Sequence, residues 1–217
     1  MSPWTWISQN LGVIWPAVEQ NALLGLMPVA LGTVIAVPLG VMCARWRWLY
    51  GPTLSATSAL YALPSLALFV VLLDYTGLTD TTIIIPLTLF SLSILVPNVV
   101  DGLRSVPEPV RQAATAMGFS PLRRLVLVEL PIATPIVIAG LRVATVSSIS
   151  LVSVGQLIGI GGLGYLLIDG YQRNLYVEVY TGIVLIILLA LAADVVLVLA
   201  RRLLTPWQRS APGGAVT

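Results

Sequence analysis

Ser105-Val106-Pro107-Glu108-Pro109-Val110-Arg111-Gln112-Ala113-Ala114-Thr115-Ala116-Met117-Gly118-Phe119-Ser120-Pro121 is the one long polar stretch in an otherwise apolar chain. A connection of this length, with its own start and stop signals, is usually functional. Ser105 and Glu108 fit a capping box, in which the Ser oxygen accepts from the backbone three residues on and the Glu reaches back. Pro107 and Pro109 stand in the first turn, where a missing N–H costs little. Val110, Ala113, Ala114 and Met117 recur at helical spacing, and Gly118 suits a left-handed C-terminal position. Ser120-Pro121 starts a second helix, which Pro131 ends. The alanines give the first helix a narrow face able to enter a groove on another protein. A short amphipathic helix lying on a membrane surface fits the same pattern.

Outward from this stretch the chain is hydrocarbon-like. Of its 217 residues 58% are apolar and 9% charged, where a soluble domain has about 25% charged. Five segments, near 22–44, 53–73, 83–100, 132–154 and 178–200, reach the roughly 20 residues that a bilayer crossing needs. The expected fold is an all-α membrane protein with five spans. All basic residues are Arg. Arg45 and Arg47, then Arg104, Arg111, Arg123 and Arg124, then Arg201, Arg202 and Arg209 fall on one side of the alternating path. Only Arg173 falls on the other, with Glu19, Asp74, Asp80, Asp169 and Glu178. Arg-rich connections stay in the cytoplasm, so the N-terminus is expected outside and the C-terminus inside. No Lys or Arg precedes residue 45, so a secretory n-region is not expected. Trp4, Trp6 and Trp15 suggest an interfacial segment over 1–21. The coupling region spans 105–131, one membrane domain covers 1–204, and 205–217 is expected to be a flexible tail.

Composition excludes whole reaction classes. There is no His, so no Ser-His-Asp triad or HExxH zinc site. No Lys is present either, so there is no Walker A loop and no Schiff base. Cys43 is alone. Neither catalysis nor a resident metal is expected, and the basic flanks call for no nucleic acid. Gly159-Ile160-Gly161-Gly162-Leu163-Gly164 satisfies GxGxxG, but that pattern binds dinucleotides only between a strand and a helix. At the outer end of a span it suits a gate between subunits, or a loop re-entering the bilayer.

Within the spans, polar residues face the bundle interior. Asn98, Ser147, Ser148, Ser150, Ser153 and Gln156 are candidates for a polar pathway, with a bend at Pro64-Ser65. For each Ser, helix packing is the competing reading. Arg142 and Asp194 are the clear intramembrane charges, and pairing between them would fix span four against span five; a proton relay is the alternative.

Gln112-Ala113-Ala114 followed by Gly118, then Glu129-Leu130-Pro131, resembles the EAA-x3-G…LP signature of binding-protein-dependent ABC importer permeases. Leu63-Pro64-Ser65-Leu66-Ala67-Leu68, Gly140-Leu141-Arg142, the glycine segment from Ile158 and Leu203-Leu204-Thr205-Pro206-Trp207 are similar to the osmoprotectant branch, which carries glycine betaine, carnitine and choline. The resemblance implies a type I importer with a MetI-like core. It makes Glu108, Arg111, Gln112, Ala113, Ala114, Met117 and Gly118 a coupling helix docking on a separate cytoplasmic ATPase. It further implies two ATPase subunits that use ATP and Mg, a second permease copy or paralogue, an extracytoplasmic solute-binding protein, and a bacterial cell membrane. Gln112 stands where the family has Glu, so a charge is lost there while alanine insertion is kept. Related solutes (proline betaine, ergothioneine, an amino acid) fit as well. A self-contained channel or secondary carrier is the competing class, but carriers usually show inverted repeats and midplane acids.

Overall fold

A computed structural model describes residues 3–205. Among them the chain forms helices and turns, with no strand. Four helical runs are long and apolar enough to cross a bilayer: Leu11–Arg45, Thr81–Arg104, Pro121–Ile158 and Tyr176–Leu204. The first of these, α2, follows a short α1 (Pro3–Gln9) and has 35 residues. At 1.5 Å per residue it is roughly 52 Å long, well beyond the hydrocarbon layer.

The expected interfacial segment is helical. Residues 11–21 belong to α2, and Trp6 is buried with Ile14, Ala17, Leu163 and Leu166. Only Trp4 and Trp15 stay exposed as a headgroup anchor requires. At the other end, Thr205 caps the last helix through its N–H and hydroxyl, both donating to the Arg201 carbonyl. The rest of the expected tail, 206–217, lies outside the described residues.

Expected span two is not one helix. It is α3 (Arg47–Ala62) and α4 (Ser65–Thr76), interrupted at Leu63-Pro64. Proline has no N–H to give, and its ring drives the preceding residue out of helical conformation. Pro64 itself is extended, with φ −58° and ψ 126°. The break falls where the sequence places a bend.

Helix α5 (Thr81–Arg104) is the centre of the bundle. Fifteen of its 24 residues are buried, against four of 29 in α10 (Tyr176–Leu204), so α10 leaves its apolar surface for lipid or a partner. Helices α2, α3 and α8 (Leu130–Val152) pack on α5. Close approach depends on missing side chains. A Cβ on Gly140 of α8 would lie 2.5 Å from the Asn98 side chain of α5, and one on Gly40 of α2 would overlap Val99. Small residues at such crossings let backbones meet, which is how membrane helices gain packing energy.

Pro131 does not end a helix. Helix α7 (Pro121–Arg124) runs into a π-turn over Leu125–Glu129 and then directly into α8. The Leu130 N–H donates to the carbonyl of Leu125, five residues back. This widened turn sits where the proline ring and its missing N–H disturb the ordinary ladder.

Candidate functional site

The polar stretch folds into α6 (Glu108–Ala116), flanked by α5 and α7. The capping box is absent: Pro107 is the N-cap, with no side-chain bond there. Ser105 instead closes α5, its hydroxyl donating to the Gly102 carbonyl. The last turn of α5 runs so close to the start of α6 that Ser105 serves the earlier helix. Pro109 does lie in the first turn. Gly118 takes φ +81°, the left-handed position that its lack of Cβ makes inexpensive.

The alanine face divides. Val110, Gln112, Ala113, Ala116 and Met117 are exposed. Ala114 is 1% exposed, packed against the chain itself. The expectation that Ala114 enters a groove on a partner is corrected, because the side chain is already covered. Hydrophobic spacing alone does not say which neighbour an alanine meets.

Two arginines fasten α6 to the spans. Arg111 donates from Nη2 to the Leu103 carbonyl at the end of α5, and lies 3.9 Å from Glu108. Arg124 donates from Nη1 to the Thr115 hydroxyl (2.8 Å) and from Nε to Glu129 (2.8 Å). The short helix is thus tied to α5 on one side and to the root of α8 on the other. Arg111 belongs to the expected set. In the sequence Arg124 stands only as a topogenic charge and Glu129 only as part of the family signature, so their joint contact with Thr115 is not visible there.

Deeper in the bundle, Arg142 and Asp194 meet in a bidentate pair, Nε to Oδ1 at 2.6 Å and Nη2 to Oδ2 at 2.7 Å. Two parallel bonds in the guanidinium–carboxylate plane join α8 to α10.

The expected polar pathway does not form one wall. Ser147 and Ser148 line a small crevice with Ser91, Phe90 and Tyr61, below the bend at Pro64 and Ser65. Ser150 is exposed and bonds back to the Val146 carbonyl. Asn98 donates to the Ile94 carbonyl and fills the space above Gly140. Ser153 and Gln156 lie in a 3-10 turn (Ser153–Ile158) beneath the glycine segment. They are separated because α8 ends at Val152, so helical spacing stops applying.

The glycine segment is packed into the bundle. Gly161, Gly162 and Gly164 are buried, while Gly159 is exposed. A Cβ on Gly164 would meet the Ser153 carbonyl, and one on Gly162 (φ +48°) the Asn21 backbone, at 2.5 and 2.7 Å. A helix, α9 (Gly164–Gln172), follows, and no strand precedes, so the dinucleotide reading has no support. Asn21, fully buried, holds the turn: its Nδ2 donates to the Ile149 carbonyl and its Oδ1 accepts from the Leu163 N–H. At the boundary of the segment 1–21, Asn21 carries no local pattern that announces these bonds. It ends the polar trio Glu19-Gln20-Asn21 immediately before the apolar run from Ala22, which is the only local signal it carries.

The described residues form a helical bundle with membrane-length helices and a short braced helix between two of them. Residues 36–210 match the family of binding-protein-dependent transport system inner membrane components, and the chain belongs to that family. It is a multi-pass permease that works with ATPase and solute-binding partners. Among its relatives, the glycine betaine/carnitine/choline transport system permease protein OpuCD of Bacillus subtilis is 32% identical, covering 93% of this chain and 89% of that one. The osmoprotectant import permease protein OsmW of Salmonella typhimurium is 34% identical, covering 91% and 94%. A chain of the MetNI methionine ABC transporter, in an inward-facing conformation, shares the fold: TM-score 0.78 at 22% identity, over 94% of this chain and all of that one.

Proposed function

We propose that this chain is the transmembrane subunit of an ATP-driven importer of osmoprotectants, with glycine betaine, choline, carnitine and proline betaine as its substrate class. Glycine betaine, choline and carnitine are the solutes printed for the relatives, and proline betaine is added as a chemically similar osmoprotectant. The coupling role rests on one geometric observation: α6 exposes Gln112, Ala113, Ala116 and Met117 while Arg111 and Arg124 tie its other sides to α5 and α8. A helix presented and braced in this way transmits a push.

In this reading two copies, or a copy and a paralogue, enclose the pathway, since one bundle of this size surrounds no solute channel. Two cytoplasmic ATPase subunits bind ATP and Mg and close. Their closure draws the two α6 helices together, and the Arg124–Thr115 and Arg124–Glu129 contacts carry that displacement into α8. The chain itself contributes no catalytic group. The arginine-rich ends face the cytoplasm and the N-terminus lies outside, as the positive-inside rule requires. A solute-binding protein delivers its load at the outer face beside Gly159.

The test is reconstitution of the permease with its ATPase in liposomes, with solute-binding protein and labelled glycine betaine on the binding-protein side. ATP-dependent uptake is expected. Uptake that persists without the ATPase, or none of any quaternary ammonium solute, refutes the reading.

A further inference from the structure

At the arginine-rich end of the spans lies a cavity of about 300 Å³ that none of the coupling contacts fills. Its apolar side is Val41, Ala44, Leu103 and Leu125, from α2, α5 and the π-turn. Its polar side is Arg45, Arg111 and Arg124, opposed by the single carboxylate of Glu129. Glu129 is already engaged by Arg124 at 2.8 Å. Glu108, on the outer side of α6, reaches Arg111 only at 3.9 Å.

Two donors are left over. The Nε of Arg111 is buried without any hydrogen-bond partner. Arg45, the last residue of α2, is exposed and makes no hydrogen bond or ion pair among the described residues. A buried donor left unmade is costly, and three guanidinium groups around one space repel each other unless an anion sits between them. Guanidinium forks match the oxygens of phosphate. The lining changes from apolar to basic across the cavity, beside the last residues of α2 and α5. Basic pockets at that depth suit lipid headgroups.

We propose that this cavity binds a phosphate-bearing anion, supplied as a phospholipid headgroup or as free phosphate. The phosphate accepts from Arg45 and from the guanidinium edges of Arg111 and Arg124 that border the cavity, and so joins α2 to the brace that Arg111 and Arg124 already make between α5, α6 and α8. The site then stiffens the coupling region against the first span. It is independent of which solute is carried.

The permease–ATPase complex, stripped of lipid in neutral detergent, is titrated in parallel with phosphatidylglycerol, phosphatidylcholine and inorganic phosphate. Thermal melting and native mass spectrometry read binding. Phosphatidylglycerol is expected to raise the melting temperature by several degrees and to remain bound, with phosphatidylcholine at least fivefold weaker. A shift by inorganic phosphate alone assigns the site to the free ion, and a shift by the lipid alone assigns it to the headgroup; either supports the site. Arg45→Gln should weaken binding at least fivefold while Arg45→Lys keeps most of it. No binding by either probe, or equal binding by Arg45→Gln, overturns the proposal. Because the readout is binding, a failure here is distinct from a failure of betaine uptake.

Discussion

Replacing Ala113 and Ala114 separately by Trp distinguishes a docking face from a packing face. The two residues are neighbours in sequence but differ in surroundings: Ala113 is exposed, and Ala114 is 1% exposed. An indole at 113 projects away from the chain, so the permease itself should change stability by only about 0.5 kcal/mol, as for ordinary surface substitutions. An indole at 114 must displace its own neighbours, which costs about 1–3 kcal/mol in an overpacked site. The order reverses for the partner. If α6 enters a groove through Ala113 and Met117, Ala113→Trp should weaken ATPase binding by at least about 1.4 kcal/mol, a factor of ten. The assays are thermal melting of the isolated permease, and affinity for the ATPase with solute-stimulated ATP hydrolysis in liposomes. Ala113→Trp should melt like the wild type and lose stimulation; Ala114→Trp should melt lower. Full affinity and full stimulation in Ala113→Trp would refute the docking geometry.

Further outcomes follow from the other contacts. Arg142→Asp and Asp194→Arg should each lower the yield of folded permease in the membrane, and the double swap should recover much of it; a double swap no better than the singles removes the pairing from the account. Asn21→Leu leaves the Leu163 N–H without its partner and should cost about 1–3 kcal/mol. Its melting temperature should fall even in the absence of ATPase. Gly40→Leu collides with Val99 where α2 crosses α5 and should abolish folding, whereas Gly12→Leu, with open space around it, should be silent. Comparable expression and melting of these two glycine variants would contradict the packing.

What could be read from the chain depended on signals that are local. The spans follow from apolar length, and the break at Leu63-Pro64 follows from one proline, because its effects act on adjacent residues. The Gly118 stop is legible for the same reason: φ +81° is a property of one residue. Arg142 and Asp194 could be matched because two charges in hydrocarbon have few alternatives to each other.

Other features depended on which surfaces meet. Pro131 looked like a helix end until the π-turn over Leu125–Glu129 showed how the backbone passes it. Ser105 offered a capping box to α6 and was taken by α5. Helix α2 begins at Leu11 and carries Asn21 into contact with α8 and the glycine turn, a meeting that no local pattern announces. These outcomes are set by contacts such as Asn21 to Leu163, 142 positions apart.

The sequence by itself determined that this is a helical membrane protein, and it marked the one long polar stretch between its spans. Both follow from hydropathy and residue type, which each segment carries wherever it is placed. Only the tertiary structure decided that Ala113 faces outward while Ala114 faces in, and that Arg111 and Arg124 brace the helix from two sides. It alone gathered Arg45, Arg111 and Arg124 around one cavity. The direction of a side chain around a helix axis has meaning only once the neighbouring helices are in position.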